Sequence, residues 1–257
     1  MQRRTLLLAA LPVGLALPAH ARIAQLGDAI DKAGAQRMLS QRMGKAWLGL
    51  LQPELAPRAR QVLDDSAARF ERQLKELLAF APTPQITGSY KALLHRFGDY
   101  RALLLTAPDR EQVNELLKRS SEVLNLAHVA TTQLQEHSSA ATARLVNLSG
   151  RQRMLSQRLA LFFLARQQGA RMDLVQRETA RSSGEFEQAM QTLNSAPEAT
   201  AAIRDNLTLA QGQWLFLKNA LGSQSQTAQA ANDVFTASEN LLAVMETVTG
   251  QFARALA

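Results

Sequence analysis

The chain has no cysteine. Disulfides, thiol nucleophiles and thiolate metal sites are thereby excluded, and the chain is large enough to build a core without covalent staples. Aromatic residues make up only 5% of the 257 residues, and no alternating apolar run suggests a strand. The four histidines, His20, His95, His128 and His137, lack a metal-ligand spacing. No nucleophile–base pair or carboxylate dyad stands out. Glu185 and Glu187, two apart on an expected helix, point to different faces. Neither a haem nor a flavin attachment pattern is present, and the methionines read as core filler. We therefore expect no enzyme and no cofactor.

Charge leans one way. The chain carries +7, with Arg3 and Arg4 contributing two of those charges at the very start. From residue 22 onward there are 27 basic against 22 acidic residues, a balance of +5. No basic strand interleaved with aromatics and no recognition helix accompanies it, so nucleic acid is not expected as a partner. Small anions, anionic lipid or cell-wall polymer fit this basic balance better.

Residues 1–21 read as a secretory leader: a basic start, an apolar stretch to Leu17, and Ala19-His20-Ala21 as a small-x-small cleavage site. The apolar stretch falls short of the about 20 residues a spanning helix needs. Arg3-Arg4-Thr-Leu-Leu permits twin-arginine export, and Sec export stays equally open. Nothing after Ala21 is long and apolar enough to cross a membrane. The expectation is a periplasmic protein, cleaved after Ala21.

What the chain does have is a string that occurs twice. Gly34-Ala-Gln-Arg-Met-Leu-Ser-Gln-Arg-Met43 returns as Gly150-Arg-Gln-Arg-Met-Leu-Ser-Gln-Arg-Leu159, 116 residues later, with eight of ten positions identical. A packing repeat would need only its apolar pattern; here a glycine, two arginines and a serine persist as well. Weaker echoes pair Gly98-Asp-Tyr100 with Gly212-Gln-Trp214, and Ser120-Ser-Glu-Val-Leu124 with Ala237-Ser-Glu-Asn-Leu-Leu242. We read the leader, then two related units, 22–140 and 141–257.

Composition points to an all-α fold, since Ala, Leu, Gln, Arg and Glu are good helix formers. Prolines 53, 57, 82, 84, 108 and 197 mark where helices should stop. Each unit is expected to be an antiparallel four-helix bundle. Asp109 to Gln168 contains one glycine and no proline, and is expected as one shared central helix about 90 Å long. A break near His137-Ser-Ser139 is the competing arrangement, because serine pairs weaken helices.

On a helix, Gly34, Arg37, Gln41 and Gly44 fall within about 80° of one another, with Ser40 beside them and Arg42 on another side. Leu39, Met43 and Ala46 form an apolar face, with Trp47 at its margin. The second copy repeats this with Gly150, Arg153, Gln157 and Ala160, flanked by Ser156 and Arg158, and adds Arg151. A guanidinium is a planar fork of donors suited to flat oxyanions. A glycine one turn earlier lets a second helix or the anion approach the backbone. Neither Arg37 nor Arg153 has an Asp or Glu three or four residues away to neutralise it.

The string Ile30 to Arg42 resembles the P-box of nitrate/nitrite sensor kinases of the NarX type. It is also similar to the N-terminal sensor domain of PilJ-type chemotaxis transducers, and Leu145 to Leu159 resembles it too. That resemblance implies a periplasmic four-helix bundle working as a dimer, with nitrate held between two P-box helices. Carried over, the ligand contacts are Arg37 with Gly34 and Arg153 with Gly150. Ser40, Gln41, Arg42, Arg151, Ser156, Gln157 and Arg158 take supporting places.

The chain departs from that family in having no membrane-spanning helix after the leader, no kinase and no methyl-accepting coiled coil. Two fused units either imitate the sensor dimer around an internal pseudo-two-fold, or each uses its motif in a homodimer of chains. Folding back brings Arg37 and Arg153 within about 10 Å; end-to-end stacking holds them far apart. Arg151 stands where the first copy has Ala35, which favours a larger or more charged anion. The expected function is to bind a small oxyanion, nitrate or nitrite, and feed a membrane sensor or transporter. The alternative is a ligand-independent helical module docking on a membrane sensor, transporter or pilus component, with Leu148, Leu155, Leu159 and Phe162 to Leu164 facing the partner.

Overall fold

In the computed structural model, residues 23, 25–138, 140–223, 225 and 227–255 are described. The expected leader, residues 1–21, and its cleavage site lie outside them. The good helix formers between the prolines fold into α1 (Leu26–Gly49), α2 (Ala56–Phe80), α3 (Pro84–Leu104), α4 (Val113–His137), α5 (Ala141–Gln167), α6 (Met172–Asn194), α7 (Ala201–Leu221) and α8 (Ala228–Ala255). A single 3₁₀ turn, Arg110–Gln112, leads into α4. Helix starts repeat between the halves. The Thr83 hydroxyl accepts the Ile86 N–H at 3.2 Å, and the Thr200 hydroxyl accepts the Ile203 N–H at 3.3 Å.

The central helix is not continuous. α4 ends at His137 and α5 begins at Ala141, with extended backbone at Ser138 and Ala140. The Ser138 hydroxyl accepts the Ala140 N–H at 3.3 Å, so the side chain competes for a backbone donor that the helix would have used. The single 90 Å rod expected from the missing proline is therefore replaced by two helices, and the chain folds back.

Folding back sets the layout. α1 packs along α5; α2 and α4 flank α1, while α6 and α8 flank α5. α3 closes the first four-helix bundle and α7 the second. The two central helices are buried nearly all round: 19 of 24 residues in α1 and 18 of 27 in α5, against 5 of 21 in α7. That is why neither central helix shows a strong one-sided pattern. Trp47, placed at a margin by helical spacing, is fully buried. Leu155, Leu159 and Phe162 to Leu164 are core as well, so they offer no surface to a partner.

α1 and α5 run parallel, and the 116-residue offset of the motif is their register. Gly34 faces Gly150: a Cβ on either would stand 3.7–3.8 Å from the other's Cα. Further along, Arg158 donates to the Gln41 side chain at 2.8 Å, and Gln52 to the Gln167 side chain at 3.3 Å. The stacks Phe70–Phe97 (4.1 Å) and Phe186–Trp214 (4.3 Å) are equivalent. They match Trp214 with Phe97 rather than with Tyr100, so the first weak echo was one helical turn out of register.

Packing is tight at Gly44. A Cβ there would lie 2.9 Å from the Tyr100 hydroxyl and 3.1 Å from Leu161. That hydroxyl is itself fixed by donating to the Ser40 carbonyl at 2.9 Å. Gly44→Val should break this bond and destabilise the fold by about 1–3 kcal/mol through overpacking, read as a lower denaturant midpoint.

Candidate functional site

Each motif begins by fixing its own helix. The Ser40 hydroxyl donates to the Arg37 carbonyl at 2.7 Å, and the Ser156 hydroxyl to the Arg153 carbonyl at 2.8 Å. Gln41 then reaches the Ser120 carbonyl on α4 at 3.1 Å, and Gln157 the Ser238 carbonyl on α8 at 2.9 Å. These buried bonds tie the first helix of each bundle to its fourth. They also match Ser120 with Ser238, one residue away from the alignment the second weak echo suggested.

With the helices so held, the two motif arginines meet. Both are buried, Arg37 at 0% and Arg153 at 1% exposure. Both Nη2 atoms lie within 3.4 Å of where a Cβ on Gly34 would stand. The glycines leave room for the guanidinium groups at the crossing, and any side chain there would push on them. Arg37 reaches into the second bundle and donates to the Asn147 carbonyl at 3.2 Å. Arg153 reaches into the first and donates to the Asp31 carbonyl at 3.0 Å. Side chains on a helix lean toward its N-terminus, which is why each contacts a residue earlier on its neighbour.

The equivalence ends at charge. Arg153 Nη2 also lies 2.6 Å from the Asp31 carboxylate, off the line of an ideal hydrogen bond but close enough for ion pairing. Arg37 has Asn147 in that place, and among the described residues no carboxylate pairs with it. Its Nε is buried without a hydrogen-bond partner. Burial, with Arg151 and Arg153 nearby, lowers its pKa to about 9.

Arg37 also lines a cavity of about 120 Å³ that Arg153 does not reach. His128, Arg151, Arg158 and Arg181 line it too, together with Glu178 and Glu185. At about 30 Å³ per water molecule, it has room for a small ion and some solvent. Arg151 donates to Glu185 at 2.6 Å, which Arg181 also holds, and Arg158 donates to Glu178 at 2.9 Å. Arg37 Nη1 lies 3.4 Å from His128 Nδ1. Partial burial, then the charges of Arg37 and Arg151, hold the His128 pKa at about 4. The cavity therefore has more cationic than anionic groups, and its one histidine is neutral.

Arg42 takes no part in this cavity. It donates to Glu239 of α8 through Nε at 3.0 Å and to Ser66 at 3.2 Å. Lys45, fully buried, donates to Glu239 at 2.7 Å. Burial alone would raise the Glu239 pKa, but Lys45 and Arg42 override it and hold the value at about 2. The packing of α5 on α1 thus brings Arg37, Arg151 and Arg158 to one place, a grouping that helical spacing did not give, and leaves Arg42 in another. The repeated motif carries no sign of His128, Glu178 and Glu185, which come from other helices. Asp31 and Asn147 were within reach of the sequence, since both stand six residues before a motif arginine.

Residues 22–123 and again 134–236 match the family described as type IV pili methyl-accepting chemotaxis transducer N-terminal domain, PilJ. The chain belongs to this family. It carries two copies of a helical, transducer-type sensor domain, and the family is one of signalling domains rather than enzymes. No match was found among the curated proteins or among the solved structures. Among the described residues, no helix is long and apolar enough to cross a membrane.

Two outcomes follow from the charges of this PilJ pair. His128 should stay neutral on acidification, its imidazole resonances titrating near pH 4 instead of near 6.5. Glu239→Gln should leave Lys45 buried without its counter-charge, at a cost of about 3–5 kcal/mol at pH 7. Because the folded pKa of Glu239 lies below the unfolded value, its contribution is complete above about pH 4.5. It is lost as pH falls toward 2, so wild type and variant should converge in denaturant titrations there.

Proposed function

We propose that this PilJ-family protein is a periplasmic receptor for a small oxyanion, nitrate or nitrite, bound at Arg37. The observation that carries the reading is a buried guanidinium with an unpartnered Nε and no carboxylate, facing a cavity with further arginines. A buried charge without a counter-charge is costly, and an entering anion would offset that cost. Gly34 and Gly150 allow the approach of α1 and α5 that puts Arg37 there. Arg151 and His128 complete the contacts, with Arg153 behind them. Two bundles, 22–140 and 141–257, take the place of two subunits, so that one chain forms the site. Residues 1–21 serve as the export signal, and no catalysis is assigned.

Output passes to a membrane sensor or transporter. An alternative reading, docking without a ligand, is favoured by the exposed Leu209, Leu215 and Phe216 on α7. The two readings separate in one experiment. Thermal unfolding is followed with nitrate, nitrite, sulfate and chloride at fixed ionic strength. At 100 times its dissociation constant an anion should stabilise the fold by about 2.7 kcal/mol. Arg37→Ala should abolish the response, while Phe216→Glu should leave it intact. A flat response of wild type to all four anions would overturn the receptor reading and leave docking.

A further inference from the structure

The two arginines make the same reach, but only one ends at a carboxylate. Arg153 arrives at Asp31 and Arg37 at Asn147, residues that occupy the same place in the two copies. The Asp31 carboxylate is not consumed by its neighbour, since Lys32 pairs with Asp28 and Glu76. Its counterpart cannot substitute for it: the Asn147 side chain is uncharged and donates its amide to Gln135. A carboxylate is flat, carries one negative charge and offers two oxygens to a guanidinium. It has the shape and charge of the anions Arg37 would take.

Arg37 lines a cavity, and Arg153 does not. The cavity opens on that side, with Arg151 on its wall where the other half has Ala35. Arg153 Nε is buried and unpartnered like that of Arg37, yet its charge is already balanced.

We infer that Asp31 is a resident anion: its carboxylate takes on Arg153 the place that a small oxyanion takes on Arg37, so of the two arginines only Arg37 is left to an outside anion. This rests on the receptor reading above and adds to it which arginine stays open and the residue that decides it. Asp31→Asn makes the first copy resemble the second and opens a second site on Arg153. Asn147→Asp makes the second copy resemble the first and closes the site on Arg37.

The test follows the Nε–H resonances of Arg37 and Arg153 separately by NMR while sodium nitrate is added to the full chain. In wild type only Arg37 should shift. In Asp31→Asn both should shift, and in Asn147→Asp the Arg37 response should weaken by about tenfold or more. A wild-type response at Arg153, or no response there in Asp31→Asn, would overturn the inference. So would an undiminished Arg37 response in Asn147→Asp.

If wild type shows no shift at either arginine, the receptor reading fails for nitrate, and Asp31 is judged without it. A nitrate response of Arg153 in Asp31→Asn would still uphold the resident anion. Should that variant fail to fold, the melting temperature of Asn147→Asp decides. A rise above wild type supports a carboxylate filling the place beside Arg37, and no rise overturns it.

Discussion

Everything in this molecule depends on two helices being able to touch at Gly34 and Gly150. A Cβ on either glycine would crowd the Arg153 Nη2 at 3.2 Å, so any larger side chain would drive α1 and α5 apart or expel the arginines. Because the contact pairs the same residue of two copies, it creates a local two-fold relation within a single chain. From it follow the parallel register of the central pair, the flanking of each by two helices of its own bundle, and the fold-back that joins them.

The same contact explains why two arginines sit where arginines are seldom found. A guanidinium leaves water only if its donors are used and its charge is balanced. Its donors are used partly by carbonyls of the opposite bundle, at Asn147 and Asp31. Its charge is balanced on one side only. The two copies supply two equivalent positions, and their differences at residues 31 and 147 and at 35 and 151 make these unequal. Elsewhere the charges are matched, with buried Lys45 and half-buried Arg42 sharing Glu239 and so joining α1 to α8.

Much of the fold was legible in the sequence, for identifiable reasons. Prolines at 53, 82 and 197 lie between helices, where the ring cannot continue one, and those at 57 and 84 sit in a first turn, where it is tolerated. The motif offset became the register of α1 against α5 because identical faces pack on each other symmetrically. The break near His137-Ser-Ser139 was legible only as the competing arrangement, since a serine capping a backbone N–H two residues on leaves no mark as strong as proline. The weak echoes were real but misaligned by one and three residues. Short polar matches on helices carry little register information until a stack such as Phe186–Trp214 settles it.

The sequence by itself determined the fold class, the duplication and the identity of the residues that meet at the centre. These follow from helix propensity, from proline and from a repeated string, all of which are local properties of the chain. Only the tertiary structure decided what those residues do electrically. Whether a buried arginine is paired depends on an aspartate more than a hundred residues away, and on a histidine and glutamates brought in by other helices. Charge interactions act through space over a few ångströms, and distance in space is the quantity that spacing along a chain does not contain.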